Sequence, residues 1–198
     1  MKKVLLMAVA FVATLTVNAQ GMYIKPMVGG TLSTYTSADD TKMKLGLVGG
    51  AEFGYQIAET FDVTAGALFT MQGTGYKDND YIKDYSSTQT FLNIPVMANY
   101  YLIPGLAIKA GIQPGFLLSS KVKNTEVIQG HEEDFESTST EGLEKFALAV
   151  PLGLSYEFSD FVIDARYNLG VTNVAKHNGD KKPKYSVIML TIGYKIPF

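Results

Sequence analysis

The sequence predicts an all-β fold, an eight-stranded antiparallel up-and-down transmembrane β-barrel, and three observations lead there. Eight runs of residues alternate apolar with small or polar side chains at period 2, which is the strand signature. The connections between the runs alternate short with long. One phase of the alternation carries no charge anywhere in the chain, and it ends in aromatics on the short-connection side.

The runs cover residues 22–33, 44–57, 61–74, 89–102, 106–119, 146–158, 161–173 and 185–198. In the first, Ile24, Pro26, Val28 and Leu32 share a phase with Gly30. In the second, Leu45, Leu47, Phe53 and Tyr55 do so, and in the third Phe61, Val63 and Phe69. The same phase continues through Leu92, Ile94, Val96 and Tyr100, then Leu106, Ile108, Ile112, Phe116 and Leu118. It closes through Leu148, Val150, Leu152, Leu154 and Tyr156, then Ile163, Tyr167 and Leu169, and last Ile188, Leu190, Ile192 and Tyr194. Of the 51 positions in this phase none is charged, where the chain's 18 % charged fraction would place about nine.

Residues 58–60 (Ala-Glu-Thr), 103–105 (Ile-Pro-Gly) and 159–160 (Ser-Asp) read as tight turns. Residues 34–43, 75–88, 120–145 and 174–184 read as long polar loops. Short periplasmic turns and long extracellular loops are the asymmetry of outer-membrane barrels, and an even strand number leaves both termini in the periplasm. A soluble ligand-binding barrel would share the alternation with its apolar phase turned inward. Three features separate the two. Tyr55, Phe61, Tyr100, Tyr156, Phe158, Phe161, Tyr194 and Phe198 form a ring at one level, as an interfacial girdle does. Glycines such as Gly46, Gly50, Gly54, Gly66, Gly111 and Gly153 fall on the polar phase, where a narrow interior needs small residues beside long ones. The chain also ends on an aromatic inside a strand.

Residues 1–19 read as a signal peptide. Lys2 and Lys3 precede an apolar stretch from Val4 to Val17, and Val17-Asn18-Ala19 supplies a cleavage site that leaves 20–198 as the barrel domain. The apolar stretch is shorter than the roughly 20 residues a spanning helix needs. Loss of both lysines takes the net charge from −2 to −4, which argues against nucleic acid as a partner. No cysteine is present, so disulfides, a lipoprotein anchor and thiol catalysis are excluded.

The polar phase carries eight charges: Lys25, Lys109, Arg166 and Lys195 against Glu52, Asp62, Glu157 and Asp164. Charges confined to a narrow lumen must pair and be hydrogen-bonded. These are expected to form an interior salt-bridged network with a structural role, Arg166 serving as a hub because its planar fork can hold two carboxylates. A proton or ion relay is the alternative. No catalytic, metal or cofactor site is expected. His131 and His177 lie in long loops among charged residues, without the paired acid or serine that a barrel hydrolase needs. The acidic stretch 120–145 and the basic stretch 174–184, together with Tyr76, Tyr81 and Tyr85, are candidates for binding an extracellular ligand.

Four segments carry a family resemblance: Phe91-Leu92-Asn93-Ile94-Pro95-Val96, Gly111 through Leu118, Asp164 through Gly170, and the closing strand. In their order and spacing, across residues 20–198, the chain resembles the PorT-like, porin-family outer-membrane β-barrel domain. The strand ending in Phe198, with Tyr194 in phase, resembles the segment such barrels present to their assembly machinery. The resemblance implies outer-membrane lipid and that machinery as partners, and no catalytic residues. Three functions follow as expectations: a non-enzymatic surface protein for envelope integrity, adhesion or partner binding; a narrow porin or small-solute transporter; or an accessory barrel for protein secretion.

Overall fold

The computed structural model describes residues 21–36, 41–76, 82–128, 131–176 and 183–198. The proposed leader 1–19 and its cleavage position lie outside the described residues, as do Tyr81 and His177. The strands are β1 (Met22–Thr36), β2 (Thr41–Lys42), β3 (Lys44–Ala58), β4 (Phe61–Tyr76), β5 (Ile82–Asn93) and β6 (Val96–Ile103). They continue with β7 (Leu106–Ile128), β8 (His131–Thr138), β9 (Phe146–Phe158), β10 (Phe161–Gly170), β11 (Lys184–Tyr194) and β12 (Ile196–Pro197).

Eight walls run antiparallel in sequence order: β1, β3, β4, β5 continued by β6, β7, β9, β10, and β11 continued by β12. The ring closes where β11 and β12 pair with β1, from Thr36↔Lys184 down to Tyr23↔Pro197. Closure leaves no wall with an unpaired edge, which lets a sheet of this length exist in a bilayer.

The run expected at 89–102 is split into β5 and β6 at Ile94-Pro95, because Pro95 has no N–H to give to the ladder. The wall stays continuous. Gly66 N–H donates to Pro95 O at 3.0 Å and Ile94 N–H to Pro114 O at 2.8 Å, with no register shift against β4. The Ile-Pro-Gly turn works through Gly105, whose φ of 85° is a conformation few other residues adopt.

The long loops are shorter than the sequence suggests. The stretch 120–145 is in large part a hairpin: β7 runs on to Ile128 and β8 returns along it, from Ile128↔His131 to Lys121↔Thr138. Its density of charge suggested an irregular loop, but Val122, Thr125 and Val127 suit a strand, and the register sets Lys123 opposite Glu136. Likewise β4 extends to Tyr76 and β5 begins at Ile82, so the 75–88 loop is reduced at both ends. A bulge between β5 and β7 at Thr90/Phe91 re-phases β7 as it leaves the barrel, so that Ser120 turns inward after Leu117.

The uncharged phase faces out. Phe69, Ile112, Leu154, Ile163, Leu190 and Phe158 are all exposed, a belt too large and continuous to stand in water. Its one polar strand residue, Ser186, is satisfied by the Tyr167 hydroxyl at 2.8 Å on the neighbouring strand. At the short-turn end Phe161 packs edge-on to Tyr194 at 5.1 Å and Phe53 stacks on Phe198 at 6.5 Å, forming part of the aromatic ring.

Candidate functional site

The lumen is built in layers. Lys25 on β1 stands opposite Glu52 on β3, with Nζ and Oε2 at 2.9 Å. Lys109 on β7 bonds Asp164 on β10. Arg166, two residues on, turns back so that Nε and Nη2 donate to the two oxygens of Asp164 at 2.6 and 2.8 Å. Its Nη1 lies 2.5 Å from Glu52 Oε1, a charge contact that lacks the alignment of a hydrogen bond. Longer contacts of 3.9 Å link Lys25 to Asp164 and Lys109 to Glu52. These five side chains, each at most 4 % exposed, form one cluster of three cations and two carboxylates.

The other three charges lie toward the short turns. Lys195 pairs with Glu157 at 3.0 and 3.2 Å, and its Nζ sits 4.5 Å above the Tyr23 ring. The same Tyr23 donates its hydroxyl to Asp62 at 2.9 Å. Tyr101 does the same at 2.9 Å, and the Asn99 amide donates to the other oxygen of Asp62. Asp62 is therefore held by three neutral donors. Sequence reasoning gave Tyr101 no role as a donor and passed over Tyr23 and Asn99. The available signal was their place on the inward phase, two residues from Lys25 and Met97 respectively.

Glycine makes room for this cluster. A Cβ at Gly54 would come within 2.0 Å of the Tyr23 ring, one at Gly66 within 2.7 Å of Glu52 Cγ, and one at Gly193 within 3.0 Å of Lys25 Cγ. The small residues of the polar phase are where the long charged chains lie down.

A concavity of about 640 Å³ opens at the short turns, lined by Gln56, Tyr101, Pro104, Glu157 and Lys195. Beneath it, among Tyr23, Lys25, Asn99, Lys109 and Lys195, the gap shrinks to about 10 Å³. That is about the volume one water centre needs. Toward the long loops an apolar layer follows, made of Met27, Val48, Leu68 and Met189. A second contains Tyr35, Phe91, Leu117, Val174, Tyr185 and Val187. Tyr185 meets both Tyr35 and Phe91 edge-on at 5.4 Å.

A lid of backbone covers that second layer. Leu143 bridges to Ala175, Glu144 N–H donates to Val174 O at 3.0 Å, and Lys176 N–H donates to Gly142 O at 3.0 Å. Val174 is thereby pressed onto the aromatic layer, and Leu143 packs beside it. At the same end of the barrel stand the β7–β8 hairpin and an edge-on pair, Tyr76 and Tyr85, at 5.1 Å. On the hairpin Glu136 takes hydrogen bonds from Lys121 and from Lys123 (3.1 Å), and these hold its carboxyl below the ordinary range. Of the two histidines only the backbone of His131, at the start of β8, is described.

Known proteins agree with this architecture. Residues 8–176 match the family described as outer membrane protein beta-barrel domain. Curated protein sequences return no match. Among solved structures the chain is similar to Ail, the attachment invasion locus protein of Yersinia pestis, at 18 % identity and TM-score 0.50, covering 88 % of this chain and 98 % of that one. Another structure of Ail, at the same identity and TM-score, is a complex with the heparin analogue sucrose octasulfate, covering 88 % and 99 %. The outer membrane protein OprG from Pseudomonas aeruginosa is also similar, at 17 % identity and TM-score 0.43, covering 90 % and 97 %. The likeness to Ail concerns the fold alone. With the family match over most of its length, the closed ring and the apolar exterior, this chain belongs to the outer membrane protein beta-barrel domain family and is a bacterial outer-membrane β-barrel.

Proposed function

We propose that the barrel is a closed, non-enzymatic scaffold that holds the hairpin and loops of its long-loop end at the cell surface for adhesion or partner binding. The observation that carries this reading is the lumen. It is filled first by the charged cluster, beside which lies a gap of about 10 Å³, and then by two apolar layers. The structural role we assign to Lys25, Glu52, Asp62, Lys109, Glu157, Asp164, Arg166 and Lys195 is that of a cross-linked plug that joins walls across the lumen. Opposite charges held in contact leave no single sign with which to select ions. In planar bilayers the purified protein is expected to give no regular conductance steps. Reproducible steps of one size would reject the plug and promote the narrow-porin reading.

In this reading the leader 1–19 is removed and both termini face the periplasm, which sets the hairpin outside the cell. Within the family, the four motifs quoted above support the PorT-like affiliation. The closing strand is the segment offered to the assembly machinery. Phe198 stacks on Phe53 and donates its N–H to Met22 O at 3.0 Å, yet its ring is half exposed, so it adds little to the finished wall. Deleting Phe198 is expected to lower the amount of barrel inserted in cells while leaving the unfolding midpoint of inserted protein nearly unchanged. Unchanged outer-membrane levels, read by fractionation, would remove the assembly role.

A further inference from the structure

We infer that the outer edge of β8 is a docking edge for an extended, cationic segment of another protein. The inference rests on the reading above, in which the hairpin faces outside the cell, and it names the partner class.

The first ground is the backbone. β8 pairs with β7 along its whole length, and no other described strand pairs with it. The far side of β7 is taken by β5 out to Ile82↔Glu126. Among the described strands, the outer rim of this three-stranded sheet is thus β8. An edge strand turns every second residue's N–H and C=O away from its neighbour. Eight residues at roughly 3.3 Å each give about 26 Å of such edge.

The second ground is charge by register. β8 reads His-Glu-Glu-Asp-Phe-Glu-Ser-Thr. Glu132, Asp134 and Glu136 occupy positions on one face, and their partners on β7 are Val127, Thr125 and Lys123. At the end nearer the barrel Glu136 is paired with Lys121 and Lys123. On the same face Lys83 stands opposite Thr125 from the other side, two strands from the position of Asp134. That is about 10 Å at the usual strand spacing. By sequence the hairpin is acidic: from Lys121 to Thr138 five carboxylates stand against two lysines.

These two grounds select the occupant. A second copy of the chain, added antiparallel near the centre of β8, would set Asp134 against Asp134 or Glu133 against Glu136. Like charges directly opposite destabilise a strand pair. A polyanion of the kind Ail takes in its complex would meet the same acidic row. A strand with Lys or Arg at every second position meets neither obstacle. It satisfies the edge by backbone hydrogen bonds and places its cations beside Glu132 and Asp134. The chain's own basic stretch 174–184 is the competing occupant.

The test uses the full mature chain in zwitterionic nanodiscs, with empty discs as control, and fluorescence anisotropy as readout. The probes are an eight-residue peptide alternating Lys with Thr, the same peptide N-methylated throughout, and a Glu-Thr counterpart. The unmodified cationic peptide is expected to bind at least tenfold more tightly than either of the others. Neutralising the row with E132Q, D134N and E136Q should weaken it at least tenfold while heat-modifiable migration on gels, the sign of an intact barrel, is kept. Equal binding of the N-methylated peptide would mean charge without strand pairing and would overturn the inference, as would no binding at all. Binding that emerges only after K176Q, K181Q, K182Q and K184Q would assign the edge to the chain's own loop and overturn it too. None of these outcomes touches the conductance result, so the surface-scaffold reading stands or falls separately.

Discussion

Glu52→Gln is expected to destabilise the barrel by about 3–5 kcal/mol, the cost of leaving buried charge without its partner. The substitution keeps the volume of the side chain and removes one of only two carboxylates from a cluster that holds Lys25, Lys109 and Arg166. Three cations would then face Asp164 alone. Arg166→Met is expected to cost less, although Arg166 contacts both carboxylates, because it leaves two balanced pairs, Lys25–Glu52 and Lys109–Asp164. Charge balance and connectivity thus predict opposite orders for the two variants. The chain has no tryptophan, so denaturant unfolding in detergent is followed by gel migration or by tyrosine emission. A larger loss for Arg166→Met would show that the hub matters through its contacts rather than through the charge count.

Leu190→Arg and Ile112→Arg are expected to lower stability by about 2–4 kcal/mol each, and Phe158→Arg by no more than about 1 kcal/mol. All three side chains point outward and are more than half exposed. They differ in depth: Leu190 lies mid-wall, paired with Gly30 on β1 and Ala165 on β10, whereas Phe158 adjoins the Ser159-Asp160 turn in the aromatic ring. An arginine at the bilayer centre must carry water or distort lipid, while one at the rim reaches the headgroups. Equal losses at the three sites in vesicle unfolding would show that the outward face does not meet lipid as a graded slab.

The barrel was legible in the sequence because its evidence is local. Period-2 alternation, a phase free of charge and turn residues such as Ile-Pro-Gly each act within a few positions, and a bilayer demands them of every wall. The eight charges were legible as inward-facing for the same reason.

Their partners were not. Lys25 and Glu52 are adjacent in register, but Arg166 reaches Glu52 only because β10 and β3 face each other across a closed lumen. Asp62 draws its three donors from Tyr23, Asn99 and Tyr101, between 37 and 39 residues away in the chain. The hairpin of β7 and β8 was hidden as well, since a run of carboxylates looks like a solvated loop until pairing sets Lys123 against Glu136. The sequence by itself determined the walls, their faces and the turns, because side-chain direction along a strand obeys the pleat alone. Closure of the ring decided which charges meet, where side chains fill the lumen and which described strand pairs on one side alone. Those are relations between residues that only the completed pairing of β1 with β11 and of β7 with β8 brings into contact.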